Sequence, residues 1–281
     1  MSWLVFALLF WIGAWALNAA LANSAYSGTR PVRIFVPVLF GVTLLVLWEG
    51  LVRGLGVSPV ILPAPSVVAQ TFARSTGILW EDFRQTVLKG ALSGFAIGSM
   101  AAFVAAILID RSAFLTRGLL PVGNFVAALP IVGIAPILVS WFGFDWQSKS
   151  AVVVVMVFFP ILVNTVQGLR ETDTMQRDLM RTYAAGYAQT LLKLRLPAAM
   201  PFVFNGLKIA TTLALIGAIV AEYFGSPTRG MGFRISTGVG SLSIDLVWAE
   251  IIVAAIAGTT FYGIVVTIEK AVTFWHPSQR K

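Results

Sequence analysis

The sequence predicts an all-α integral membrane protein, and three observations carry that expectation. Of 281 residues, 58% are hydrophobic and only 11% are charged, where a soluble domain carries roughly 25% charged residues. The apolar residues are gathered into long uncharged runs, and a helix rising about 1.5 Å per residue needs about 20 of them to cross a ~30 Å hydrocarbon layer. The basic residues, 20 Lys and Arg against 12 Asp and Glu, lie between those runs, where an excess of positive charge on the cytoplasmic side sets orientation.

The first run, residues 3–22 (WLVFALLFWIGAWALNAALA), precedes the first charge, Arg30. Small residues at its end suggest a cleavage site, but no basic stretch precedes the run, so an uncleaved spanning helix is expected. Further spans are expected at 34–52, 90–109, 118–141, 150–169, 204–222 and 248–268. Alternating the connections, with 170–203 inside, puts twelve basic residues in the inside segments and seven in the outside ones. The N-terminus is therefore expected outside and the C-terminus in the cytoplasm, with Lys208 snorkelling to the cytoplasmic boundary.

Residues 53–89 carry Val67, Val68, Phe72, Ile78, Leu79, Phe83 and Val87 in loose helical spacing. They read either as an interfacial helix or as a linker of short helices. Gly90, Gly94 and Gly98 allow close helix contact, within one copy or between two. Pro121, Pro130 and Pro136 interrupt the run 118–144. Proline frees backbone carbonyls, which is tolerated where protein or a water-filled cavity replaces lipid. Asn124, Ala128, Pro130 and Ile134 thus border a translocation pathway or mark a kink that serves packing. Asn164 and Asn205 line a polar path or bond helix to helix. Glu49, Asp245 and Glu250 lie near outer span ends, where carboxylates reach headgroup water. Trp80, Trp141, Trp146, Trp248 and Trp275 fall at span ends, as an aromatic belt requires.

The inside segment 170–203 is the longest cytoplasmic connection. Leu179, Met180, Tyr183, Ala184, Tyr187, Leu191 and Leu194 recur at helical spacing, so residues 178–194 are expected to form one amphipathic helix along the membrane, ended by Pro197 and Pro201. Arg177, Asp178, Arg181, Lys193 and Arg195 keep its other face in water, available to a soluble partner.

The chain has no cysteine and one histidine, His276, which removes thiolate chemistry and histidine metal clusters. No phosphate-binding G-x-x-x-x-G-K-[ST] occurs, and Gly-Lys is absent altogether. No cofactor, metal site or covalent chemistry is expected in this chain. An ion-coupled secondary transporter without ATPase subunits is the alternative, but it would place ionisable residues deep in the spans and show internal repeats, and neither is found. A membrane-embedded enzyme would need acidic or histidine clusters at a membrane face.

The 170–203 segment resembles the permease subunits of ATP-binding-cassette (ABC) importers, in particular those for nitrate, sulfonates, taurine and thiamine precursors. Their cytoplasmic loop reads Glu-Ala-Ala, three residues, Gly, nine residues, Ile, one residue, Leu-Pro. Anchored on Leu196-Pro197, the pattern puts Asp178, Leu179 and Met180 on Glu-Ala-Ala, Ala184 on the Gly and Leu194 on the Ile, with Gly186 as a displaced turn glycine. The resemblance extends to LWEGL, VSPVILPAPSVV, ALPIVGIAPILVSWFG, LRLPAAMPFVFNGLKIA and IVAEYFG, about residues 34–270. It implies a six-span permease core at 30–281 and one extra N-terminal transmembrane helix at 1–29.

It further implies a bacterial plasma-membrane importer for a small solute, an organic anion or a vitamin-precursor-like compound, working by alternating access. The implied partners are a second permease copy, two cytoplasmic ATPase subunits that hold ATP and Mg, and an external solute-binding protein. The ATPase contact would fall on Arg177, Asp178, Leu179, Met180, Arg181, Tyr183, Ala184, Gly186, Leu196 and Pro197, and Glu222, in the sequence Val-Ala-Glu, would border the external gate.

Overall fold

Hydrocarbon offers the backbone no hydrogen bonds, so each long apolar run must satisfy its own amides as a helix. The computed structural model bears this out, and it describes residues 2–127, 129–225 and 228–275. Its helices are α1 (Ser2–Ala22), α2 (Arg30–Gly54), α3 (Pro65–Arg74), α4 (Thr76–Arg111), α5 (Ala113–Ala127), α6 (Ile131–Phe142), α7 (Trp146–Arg170), α8 (Thr174–Thr182), α9 (Tyr187–Phe224), α10 (Met231–Gly240) and α11 (Ile244–Val272), with no strand among the described residues. Six of them, α1, α2, α4, α7, α9 and α11, are long and apolar enough to cross a membrane. The described residues are thus all-helical, with a first spanning helix α1 ahead of the remaining spans.

The chain divides into two units, residues 1–79 with 237–251 and residues 80–236 with 252–281. In the first, α1 and α2 run antiparallel, and Gly50 meets Ala7 and Gly54 meets Leu4 with no room for a Cβ. The Arg53 guanidinium lies 5.5 Å from the Trp3 ring centroid, a cation–π contact. Glu49 receives the start of α3, accepting from Ser66 N at 2.9 Å and Ser66 Oγ at 2.7 Å. The Thr71 hydroxyl donates to Asp245 at 2.6 Å, and Trp48 and Trp248 meet at 4.8 Å. The acids expected to reach headgroup water are thus differently employed: Glu49 and Asp245 bind neighbouring helices, and Glu250 is fully buried.

The second unit is organised around α7. Gly94 would place a Cβ 2.5 Å from Val153 Cβ, and Gly98 one 2.5 Å from Val157 Cγ2. Contacts that advance together along both helices make α4 and α7 parallel, and they assign the glycine spacing to packing within one copy. Along α9 the order reverses: Gly168 meets Ala199, Gly206 meets Ile161 and Gly217 meets Val153, so α7 and α9 are antiparallel. Between them lies a core of Ile161, Leu162, Val166, Ala210, Ala214 and Ala218. Small residues on α9 let the backbones approach where lipid gives no hydrophobic drive to association. Phe95 and Phe261, 4.8 Å apart, bring α11 against α4.

Two expectations are corrected here. The span expected at 118–141 is two helices, α5 and α6, with Pro130 as the cap of α6. Parallel α4 and α7 require the chain to return from one end of the unit to the other between them, and α5–α6 does so: Gly123 packs on Phe159, while Ala135 and Leu138 pack with Val152. The segment before residue 90 is no separate interfacial helix beyond α3, because α4 already starts at Thr76 and runs through a wide π-helical stretch at Arg84–Ala91. Lys208 pairs with α11, its ammonium lying 2.9 Å from Glu269.

Candidate functional site

The segment between α7 and α9 departs from the single helix expected at 178–194. Asp173 caps α8 and Gln176 returns a bond to the Asp173 N–H, a reciprocal capping box that starts the helix at Thr174. The helix stops at Tyr183 because Ala184 takes φ +51°, a left-handed conformation that ends a helix. A second helix then begins at Tyr187 and continues as α9. Pro197 and Pro201 lie inside α9 instead of ending it. A π-helical turn at Leu191–Arg195 precedes Pro197, and Pro197 sits in the first turn of the α-stretch that follows, where a missing N–H costs least.

α8 buries no residue of its own. Met175, Leu179 and Tyr183, four residues apart, are 77%, 55% and 76% exposed and form one apolar row. Met180 is half-buried, and Asp178 pairs with Arg181 at 3.2 Å in solvent. Arg177 turns back to the end of α7, donating to Thr172 Oγ1 at 2.7 Å and Arg170 O at 2.8 Å. Ala184 and Gly186 are exposed in the turn, whereas Leu196 and Pro197 are half-buried, Leu196 against Leu169, Leu191, Ala199 and Val203. The expected contact residues therefore separate into an exposed group on α8 and its turn (Asp178, Leu179, Arg181, Tyr183, Ala184 and Gly186), the half-buried Arg177 and Met180, and a pair that packs α9 in place. Gly186 has φ −69°, so the left-handed turn position is Ala184 and has not moved to Gly186.

Beneath α8 lies an ionic junction. Arg195 donates to both oxygens of Asp110 at 2.7 and 2.6 Å and to Leu169 O at 3.0 and 2.8 Å. Tyr187 Oη donates to Asp110 at 3.1 Å, and Arg111 lies 5.5 Å from the Tyr187 ring centroid.

A second polar cluster occupies the other end of the unit. Glu222 is 1% exposed and accepts from Thr86 Oγ1 at 2.7 Å and Gly232 N at 3.0 Å. Asp82 accepts from Gly230 N at 2.6 Å and Arg234 Nε at 2.8 Å. Lys149 is fully buried, with its ammonium on the carbonyls of Phe144 and Gly225. Glu222 thus fastens the chain after α9 to α4.

Of the pathway candidates, Asn205 Nδ2 donates to Asn164 Oδ1 at 3.0 Å, so the two amides bond helix to helix. Asn205 nevertheless shares an exposed face of α9 with Ile209, Thr212, Ile216 and Tyr223. Pro130 is exposed and Ile134 packs beside Ala135 and Leu138. Ala128 lies outside the described residues, as does the side chain of Asn124.

Several residues escaped the sequence reading. Met175 and the Asp173-x-x-Gln176 box were legible as a helix start. The pairings of Asp110 with Arg195 and of Thr86 with Glu222 join residues far apart in the chain, and no local pattern announces them.

Residues 94–274 match the model of the binding-protein-dependent transport system inner membrane component family. A probable ABC transporter permease protein of Haemophilus influenzae is 34% identical over 79% of this chain and 90% of its own length. A formylaminopyrimidine transport permease protein of Halalkalibacterium halodurans is 31% identical over 89% of this chain and 99% of its own. A riboflavin transport system permease protein of Chloroflexus aurantiacus is 31% identical over 84% and 88%. With the spans, their packing and this match together, the chain belongs to the family of binding-protein-dependent transport system inner membrane components, the multi-pass permease subunits of ABC transporters.

Proposed function

We propose that this chain is the solute pathway of an ATP-driven importer, working as a pair of copies with two ATPase subunits in the cytoplasm and a solute-binding protein outside. The observation that carries this reading is the bare apolar row of Met175 and Leu179 on α8 and Tyr183 at its C-terminal cap. A capped helix with such a row fits a groove on a soluble partner, and closure of two ATPase subunits around ATP would move two such helices as levers. ATP and Mg belong to the partner, and this chain performs no covalent step. The charge asymmetry of the sequence supports an outside N-terminus and a cytoplasmic C-terminus.

The exposed face of α9 bearing Asn205, Thr212 and Tyr223 supplies amide, hydroxyl and aromatic groups and no ion. That chemistry suits an uncharged heterocycle, and the names of two relatives, for formylaminopyrimidine and riboflavin, point the same way. The proposed solute is a heterocyclic vitamin or vitamin precursor, taken up by alternating access.

Two measurements test the reading. Leu179→Asp leaves the permease in the membrane and abolishes copurification of the co-expressed ATPase; unchanged copurification rejects α8 as its seat. Thermal-shift screening of the associated binding protein should find pyrimidines or flavins among its stabilising ligands, and stabilisation by alkylsulfonates alone rejects the solute class.

A further inference from the structure

We propose that Arg195 is a positioning residue that locks the α8–α9 corner to the ends of α4 and α7, so that displacement of α8 moves the spans instead of bending the corner. The proposal rests on the reading of α8 as the ATPase seat.

A lever works only if its attachment is stiffer than its load. No residue of α8 is fully buried, so its stiffness depends on its attachments, the Arg177 bonds at one side and the place where the chain re-enters the bundle at the other. That second place is the junction at Arg195. One guanidinium holds the carboxylate of Asp110, near the end of α4, and the carbonyl of Leu169, near the end of α7, from its own place at the start of α9. The side chains of Arg195 and Asp110 are only 14% and 5% exposed, so water competes weakly for either. Buried ion pairs add little net stability, and the role assigned to this one is to fix the geometry of the corner.

The guanidinium is required for its form as well as its charge. Its donors form a rigid planar fork that can face a carboxylate and a carbonyl together, whereas a lysine ammonium is a point charge on a flexible stem. The π-helical turn Leu191–Arg195 ends on this residue, and such turns recur at functional positions in helices. Tyr187, at the start of α9, donates to the same carboxylate, so the junction grips both ends of the first turns of α9. Arg177 holds the other side of α8 to Arg170 O.

The chain has no cysteine, so a single Thr212→Cys on the exposed face of α9 reports on that face alone. In the complex with co-expressed ATPase, its rate of maleimide labelling is compared between the nucleotide-free and the ATP–vanadate-trapped states. With Arg195 present the rate is expected to change about tenfold, within the range typical of coupling between two sites. Adding Arg195→Lys or Asp110→Asn should leave ATPase copurification and nucleotide trapping intact while the change falls below about twofold.

The proposal is overturned if either variant keeps the full change, or if both lose the ATPase, since Arg195 would then only support the docking surface. Should Arg195→Lys not reach the membrane, Asp110→Asn decides alone. An unchanged rate in the Thr212→Cys parent overturns the proposal together with alternating access. Retention of ATPase by Leu179→Asp rejects the seat on α8 and the proposal with it, whereas a full change in Asp110→Asn, with ATPase still lost in Leu179→Asp, overturns the proposal alone, which separates the two failures.

Discussion

The Thr86 hydroxyl donates to Glu222 at 2.7 Å and accepts from the backbone N–H of Met231 at 2.8 Å. One small side chain of α4 thus joins the last turn of α9 to the first residue of α10, and all three positions are closed to solvent. Thr86→Val keeps the volume and removes both bonds. It is expected to cost about 1–3 kcal/mol, the penalty of leaving buried polar groups unmatched. A lower unfolding temperature in detergent and faster proteolysis between α9 and α10 would report it; an unchanged melting curve would reject the role given to Thr86.

Lys149 makes a comparable prediction with a control nearby. Its buried ammonium serves the carbonyls of Phe144 and Gly225, whereas Lys89 is exposed. Lys149→Met should destabilise the chain by about 2 kcal/mol, because two buried carbonyls lose a charged donor. Lys89→Met should stay within about 0.5 kcal/mol of the parent, as surface changes do. Equal melting temperatures for the two variants would contradict the assignment.

The start of α8 can be weakened without touching its apolar row. Asp173→Ala removes the capping box and should cost about 1 kcal/mol of local helix stability. Recovery of the ATPase with the permease should fall partially, while the melting temperature of the permease itself barely moves. Met175→Asp, on the exposed row, should reduce recovery as severely as Leu179→Asp. Full recovery in Met175→Asp would confine the contact to the later part of α8.

The turn after α8 gives a prediction of opposite sign. Ala184 holds φ +51°, which costs a residue bearing a Cβ roughly 1 kcal/mol. Ala184→Gly should therefore stabilise α8, seen as slower hydrogen exchange across 174–184. Gly186→Ala, at φ −69° with open space around its Cβ position, should be tolerated.

What the sequence disclosed was periodic and local. The long apolar runs became α1, α2, α4, α7, α9 and α11, and of the five tryptophans expected at span ends Trp146 opens α7 and Trp275 follows α11, while Trp80 and Trp248 lie a turn inside α4 and α11 and Trp141 near the end of the short α6. The alignment on Leu196-Pro197 placed Ala184 where the family pattern has glycine, and that residue adopts the left-handed conformation glycine favours. Proline misled in both directions. Pro130 divided one expected span into α5 and α6, while Pro197 and Pro201, read as helix stops, lie within α9. The difference is tertiary: a π-helical turn and packing of Leu196 on Leu169 and Leu191 carry α9 through its prolines. The ionic junctions were not legible because Asp110 and Arg195 meet only once α4 and α9 lie beside the same end of α7.

The corner between α8 and α9 is a phase setting. Each residue added to a helix turns everything after it by about 100°, so the four positions from Tyr183 to Gly186 fix the angle between the outward row of α8 and the inward reach of Arg195. One residue inserted or deleted there would point one of them the wrong way while leaving α8's Met175 and Leu179 and α9's Arg195 intact. The count of residues in this corner is therefore under tighter constraint than their identities, and a length change there should be more damaging than any single substitution within it.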